Sequence, residues 1–574
     1  MTMWGKQLLS YFTSGNKSIW GIIGLCILNL FVMHYYIAFT CPLESPPSFL
    51  DYTDNIFGII VDFVFVFTLF YFLSGKRIKI ALCLTFFCCL LWSFSNVMYS
   101  RFFHHYLSLS AISQGGVMFN DWMIKCVIEN FGLIDLLYPL FVFLYFKLAR
   151  RLPAAKNAFS YYTTLKILFI SILAELSIFA IICAANPAYR YITFYCHKMY
   201  QRHIETDAIN PVLRHFSRGS VRTIASEVWS DIQGSITLSE EQERIISNAI
   251  SESRSTIDTL TSISPKNIIF ILVESYMSLS SDMKIQGREV TPYLNALKND
   301  SSCYYNGKVH ENIAIGESSD GQLIYMTGLL PLRSTVTVTK ARNKDLPGIP
   351  KFFNGTSFMI IPSTSTVWEQ ESMCESYGFN HLYASTDFAD GSCTLLNDQQ
   401  VFQFAQEVDK KTSMPFFSVI VTMTMHQPYT KQIDPTFPIS DPSINEELAC
   451  YLNVCHYTDT QIGKYIEHLK KTHIYENSLI IIAADHTVHS ANFGDVNKEI
   501  PLYIIYPQGL PKMWDGACNQ IDLYPTIIDL LGIKSEWCGL GKSLLSEDYS
   551  NEIPTNKWII SEWLLLSDYF EQKP

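Results

Sequence analysis

Two patterns of apolar positions divide the chain. Before about residue 190 the apolar residues come in unbroken runs: Ile19–Phe39, Ile56–Leu73, Ile78–Val97, Ile128–Leu148 and Leu165–Ala185. Each approaches the roughly 20 residues a helix needs to cross a bilayer. The first is too long for the apolar core of a cleavable leader, and further runs follow it. From Lys266 onward the runs shrink to strand length, at Asn267–Val273, Phe416–Val421, Leu479–Ala483 and Leu502–Tyr506, and alternate with helical stretches such as Leu448–Lys471. Buried strands alternating with helices predict an α/β domain on a mostly parallel sheet. The stretch Asn186–Pro265 between the two patterns is polar, and Ser239–Ser253 sets Ile245, Ile246 and Ile250 on one face of a helix. The expected division is a five-helix transmembrane bundle over 1–185, a linker over 186–265 and an extracytoplasmic domain over 266–574.

Basic residues orient the bundle. Lys6 and Lys17 precede the first run, Lys76, Arg77 and Lys79 surround the turn between the second and third, and Lys147, Arg150, Arg151 and Lys156 close the fourth. With five spans all of these fall on the cytoplasmic side, and everything after Ala185 falls outside. Asp62, Asp135 and Glu175 are carboxylates within the runs, where a hydrogen-bonded contact between helices is the expected role. The chain carries 42 basic and 53 acidic residues, a net −11. That balance argues against nucleic acid as a partner, which needs clustered Lys and Arg. It leaves a phosphate-bearing substrate open, because a bound metal reverses the local charge. The 15 cysteines include no CxxC pair. Cys303, Cys374, Cys393, Cys450, Cys455, Cys518 and Cys538 could pair in an oxidising compartment.

In open parallel sheets, ligands collect at the carboxyl ends of strands. Glu274-Ser275 follows the first buried strand directly and Asp485-His486 follows another. Together they offer ligands suited to Mn²⁺, Mg²⁺ or Zn²⁺. Between them, Gly316-Glu317-Ser318-Ser319-Asp320-Gly321 precedes a helix-like run, Gln322–Leu330, and could set a serine at a helix N-terminus, where negative charge is favoured.

The ordered motifs NIIFILVES (267–275), TPYLNAL (291–297), GESSDG (316–321), MHQPY (425–429), AADHT (483–487) and QIDLYPTIIDLLGI (520–533) resemble the lipoteichoic acid synthase-like branch of the sulfatase/alkaline phosphatase superfamily. The resemblance covers about residues 266–545 and implies a sulfatase-like α/β catalytic domain carried by a multi-pass helical bundle in a bacterial cytoplasmic membrane. It implies that Glu274, Asp485 and His486, with Ser318, hold one divalent metal, most often manganese. Ser318 matches the nucleophile, usually a threonine, with Ser319 its rival if the loop register differs by one. His426 matches a histidine near the substrate, and Trp368 an aromatic residue of the headgroup pocket.

Two departures stand out. Gln370 occupies the place of an arginine that glycerol-phosphate transferases carry two residues after that tryptophan, and an amide cannot replace bidentate phosphate binding. A pocket histidine expected shortly before Trp368 is replaced by the region of Ile361 and Pro362. The activity implied is transfer of phosphoglycerol, or a related phospho-headgroup, from phosphatidylglycerol or phosphatidylethanolamine to an envelope glycan or glycolipid through a phosphoryl-serine intermediate. Phosphoethanolamine transfer, a membrane-anchored phosphodiesterase or phosphatase, and a silent scaffold are the alternatives. A true sulfatase is disfavoured, since its nucleophile is followed by x-Pro-x-Arg and Ser318 is followed by Ser-Asp-Gly.

Overall fold

A computed structural model describes residues 17–41, 43, 46–75, 77–115, 128, 130–152, 211–255, 257, 262–388, 395–488, 493 and 498–572. It forms two compact units, Met1–Gly234 and Ser235–Pro574. The division falls inside the segment read as a linker.

In the first unit, α1 (Lys17–Thr40), α2 (Phe49–Leu73) and α3 (Ile78–Phe103) pack on one another. They supply the three helices, among the described residues, long and apolar enough to cross a membrane. The sequence pattern predicts five. The fourth run is a 3₁₀ turn, Leu133–Leu136, followed by the 13-residue helix α4 (Leu137–Ala149). Within that turn Asp135 folds back to accept the Gly132 amide at 2.7 Å. The fifth run, Leu165–Ala185, lies outside the described residues, as does Glu175. Asp135 forms a two-pronged ion pair with Arg101, at 2.7 and 3.0 Å. Two further helices, α5 (Pro211–Arg218) and α6 (Ser220–Gln233), pack against α2. Asp62 of α2 accepts the Ser220 and Val221 amides at 2.8 and 2.7 Å and so caps α6. Both described carboxylates therefore bind other segments of the unit.

The second unit opens with α7 (Glu240–Ser255), whose first turn carries Glu240, Glu241 and Glu243 where the helix dipole favours acids. Its strands are β1 (Asn267–Val273), β2 (Lys284–Ile285), β3 (Arg288–Glu289), β4 (Cys303–His310), β5 (Thr356–Ile360), β6 (His381–Tyr383), β7 (Phe416–Val421), β8 (Ser478–Ala484), β9 (Ile500–Ile505) and β10 (Cys518–Asn519). Apart from the β2–β3 pair, they form one eight-stranded sheet in the order β10-β4-β9-β8-β1-β7-β5-β6. Every pairing in it is parallel except those of β9 with β4 and β8. Strands β1, β7, β8 and β9 are buried at every position, which is why they read as unbroken apolar runs rather than alternating ones. The 26-residue helix α10 (Glu446–Lys471) begins where the Asn445 side chain accepts the Leu448 amide and ends on His468, Lys470 and Lys471, which suit the dipole. The described cysteines of this unit, Cys303, Cys374, Cys450, Cys455, Cys518 and Cys538, are all unpaired; Cys393 lies outside the described residues.

One register fact places the site. Strands β8, β1 and β7 run side by side in parallel, with Val273 opposite Ala484 and Leu272 opposite Val421. The residues that follow, Asp485, Glu274 and Thr422, therefore emerge together at one edge.

Candidate active site

Glu274, Asp485 and His486 bring three ligand atoms within 4.8 Å of one another, all on buried residues. Thr422 locks the first of them, its hydroxyl accepting the Glu274 amide at 3.0 Å. Ser275 adopts a left-handed backbone (φ 48°), which aims its amide at Asp485 Oδ1, 2.8 Å away, while its hydroxyl donates to Glu274 Oε1 at 2.8 Å. The His486 amide also donates to Asp485 Oδ1. Asp485 Oδ2 has no hydrogen-bond partner although fully buried. His486 Nδ1 lies 2.7 Å from the Thr487 carbonyl, to which it donates. In neutral histidine this leaves the Nε2 lone pair for the cluster. Glu311 grips Thr487 in turn, accepting its amide at 2.6 Å and its hydroxyl at 3.0 Å.

Helix α8 (Ser318–Thr327) presents its first residue to this cluster. Ser318 Oγ lies 3.1 Å from Glu274 Oε2 and 3.2 Å from His486 Nε2. The preceding Glu317 is buried in a left-handed conformation (φ 48°), and its Oε2 is 3.8 Å from His486 Nδ1. Ser319 turns the other way: its hydroxyl donates to the Gly316 carbonyl at 2.6 Å. Asp320 secures the loop, accepting the Ala314 and Gly316 amides and the Thr337 hydroxyl. Both glycines of the GESSDG motif answer to contact. A Cβ on Gly316 would stand 2.3 Å from Asp320 Oδ1, and one on Gly321 would stand 2.7 Å from the Asp485 carbonyl oxygen.

The electrostatics call for positive charge. Burial and the neighbouring Glu274 push the Asp485 carboxyl up to about 8. Burial would lower the His486 pKa, yet Asp485, Glu274 and Glu317 together raise it to about 10. For Glu274, burial is outweighed by His426 and His486, and its pKa falls. A divalent cation satisfies the orphaned Asp485 oxygen and relieves the carboxylate repulsion, so this donor set fits one.

Other expected residues stand nearby or apart. His426 faces Glu274 electrostatically, and its Nδ1 lies 2.7 Å from the Gln427 carbonyl. Gln370 begins α9 (Gln370–Tyr377), is buried, and donates through Nε2 to Gln322 Oε1 at 3.0 Å, one turn beyond Ser318 on α8. Its Oε1 is buried without a partner. Trp368 sits half-buried in the turn before it, in a left-handed conformation. His310 is exposed on β4; His456 binds Asp434 Oδ2 at 2.7 Å; His489 lies outside the described residues. Thr422, Glu311, Thr487 and Gln322 carry no sequence signal for their roles, since each is defined by a partner 48 to 176 positions away.

Residues 266–533 match the sulfatase family and form a sulfatase-like domain, the domain of an enzyme. The relatives the chain resembles carry the name lipoteichoic acid synthase. Lipoteichoic acid synthase 2 of Bacillus subtilis is 27% identical over 315 residues, 50% of this chain and 48% of its own. The lipoteichoic acid synthase of Staphylococcus saprophyticus is 24% identical over 564 residues, 91% of this chain and 82% of its own. The chain thus spans about half the length of the Bacillus relative. The crystal structure of the lipoteichoic acid synthase LtaP from Listeria monocytogenes aligns over 57% of this chain and 98% of that one, at 18% identity and a TM-score of 0.47.

Proposed function

We propose that this chain is a membrane-anchored, metal-dependent transferase that moves phosphoglycerol from phosphatidylglycerol to a hydroxyl of a cell-envelope glycan or glycolipid. One observation carries the reading: Ser318 Oγ, at the start of a helix, is within 3.2 Å of both Glu274 and His486 in a cluster that holds an orphaned carboxylate oxygen. Glu274, Asp485 and His486, with Ser318, would hold one divalent cation; manganese is what the family resemblance implies, and magnesium or zinc suit the same donors. Such a cation, when bound, lowers the pKa of a coordinated hydroxyl and offsets charge on phosphoryl oxygens.

The remaining chemistry belongs to the chain. Ser318 releases its proton to solvent and its Oγ attacks the phosphorus. The bond from phosphorus to the diacylglycerol oxygen breaks, and His426 is the nearby group suited to protonating that oxygen. Glycerophosphoryl-Ser318 remains. The acceptor hydroxyl then attacks the same phosphorus, loses its proton, and Ser318 leaves as the hydroxyl again. The α8 N-terminus favours the phosphoryl charge throughout. The apolar helices of the first unit would hold the site beside its lipid donor in a bacterial cytoplasmic membrane, with the catalytic unit on the extracytoplasmic face. Anchoring contributes effective concentration.

A second reading, phosphoethanolamine transfer, has one observation in its favour. Gln370 meets Gln322 as a neutral amide pair with a buried acceptor to spare, where a phosphate-gripping arginine would be charged.

Incubation of the purified full chain with headgroup-labelled phosphatidylglycerol and Mn²⁺, followed by intact mass spectrometry beside Ser318→Ala, separates the readings. A glycerophosphoryl adduct on wild type alone supports phosphoglycerol transfer. An adduct with phosphatidylethanolamine alone supports the second reading. No adduct or diacylglycerol release with either lipid refutes both.

A further inference from the structure

Segment 211–233 of the first unit makes a helical hairpin, α5 then α6, against α2. Its tip is fastened by polar contacts running along one face of α2. Asn55 Nδ2 donates to the Phe216 carbonyl at 2.6 Å, Arg222 pairs with Asp54 at 3.0 Å, and Asp62 caps α6. The approach is close: Gly219 takes φ 80°, and a Cβ on Gly58 would stand 2.5 Å from the Arg218 carbonyl oxygen. Trp92 of α3 closes the tip, donating to the Ser220 hydroxyl at 2.9 Å. Asp62 lies six residues inside the apolar stretch that begins at Ile56, about 9 Å deep at 1.5 Å per residue. Non-helical backbone at such depth is tolerated only where protein satisfies its polar groups, and Asp62 does so.

The hairpin and the surrounding medium share one face of α2. Gly58 and Asp62 lie under the hairpin, and Phe65 and Leu69 continue the same face at helical spacing, 42% and 46% exposed. Beside this face α6 carries its own apolar stripe at i, i+3, i+4 and i+7. Ala225, Val228, Trp229 and Ile232 are all exposed, the last two at 54% and 71%.

We propose that α5 and α6 form a membrane-seated hairpin, entering at the end of the bundle where α1 ends and α2 begins, with the Ala225–Ile232 stripe in contact with lipid. This rests on the reading of α1–α3 as membrane-crossing helices. The bilayer is the occupant because the stripe is apolar and exposed on a helix whose first amides are capped by Asp62 inside an apolar span, and because Trp229 suits the headgroup boundary. The catalytic unit would then be tethered at Ser235 to an element seated in the membrane rather than to a free linker.

Photo-crosslinking tests this in the full chain reconstituted into vesicles of phosphatidylglycerol and phosphatidylcholine bearing a radiolabelled lipid. p-Benzoylphenylalanine is placed singly at 229, 232, 69 and 244. Lipid adducts at 229 and 232 are expected at levels close to that at 69, and at least about fivefold above that at 244, an exposed position on α7. Crosslinks from 229 and 232 to peptides of residues 235–574 or to a second copy, or no lipid adduct there while 69 labels, would overturn the proposal. Failure of 69 to label would instead refute the membrane reading on which it rests.

Discussion

Gly321→Ala tests whether α8 is pressed against the strand end it serves. The added Cβ would stand 2.7 Å from the Asp485 carbonyl oxygen and 3.0 Å from its Cα. Carbon–oxygen contacts ordinarily begin near 3.3 Å, so the helix and the end of β8 must part by about 0.6 Å. Both sides of the clash are backbone or fixed to it, so no rotamer change relieves it. Ser318 rides on one side of the gap and Asp485-His486 on the other, and the 3.2 Å contact between Ser318 and His486 lengthens. Overpacking of this kind costs about 1–3 kcal/mol. Misplacing a reacting group by 1 Å costs about 100-fold, so a shift of this size should lower kcat roughly 10- to 100-fold. KM for the lipid should change less than kcat, because the headgroup side of the site meets α8 through the side chain of Gln322. The assay is diacylglycerol release from phosphatidylglycerol with Mn²⁺, with thermal unfolding measured in parallel. Gly24→Ala is the control: a Cβ there meets nothing within 4 Å, and the mutant should match wild type. Wild-type kcat and Tm for Gly321→Ala would refute the claim that this contact sets the position of Ser318.

Ser319→Ala removes the hydroxyl that donates to the Gly316 carbonyl; it should cost about 1 kcal/mol of stability and leave turnover measurable, whereas Ser318→Ala should abolish turnover with the unfolding midpoint retained. Glu311→Gln weakens the grip on Thr487, whose carbonyl orients His486; Mn²⁺ affinity by calorimetry should fall about 10- to 100-fold, and an unchanged affinity would remove Glu311 from the support of the site. Burial pushes the Asp459 carboxyl up to about 7, against the Leu294 and Tyr293 amides that donate to it. Its folded pKa lies above the unfolded one, so the folded state holds the extra proton and stability falls as pH rises from about 4 to about 7, then levels off. Between pH 5 and 7 this amounts to about 2–3 kcal/mol, and Asp459→Asn should flatten the slope of Tm against pH over that window; an equal slope in both proteins would contradict the assignment.

The sequence by itself determined the parts whose signal is local. Unbroken apolar runs marked α1–α3, whose exposed faces are as apolar as their packed ones, and the central strands, where burial on both faces leaves no room for alternation. That Glu274 and the Asp485-His486 pair meet at one edge was legible because Glu274 and Asp485 each directly follow such a strand, where a parallel sheet gathers its ligands. The short or polar strands were not legible: β4 (CYYNGKVH) carries a glycine and a lysine, and β6 and β10 span three and two residues. Their identity as strands comes from the neighbours they pair with.

Only the tertiary structure decided which serine faces the cluster. Ser318 and Ser319 are chemically alike, and the choice depends on how the Glu317 backbone turns into α8 and on Asp320 holding the loop from within. It also decided that Asp62 caps α6, a contact spanning 158 positions, and that the chain divides into compact units at Gly234. These outcomes depend on where distant segments meet in space, and spacing along one strand or helix carries no record of that.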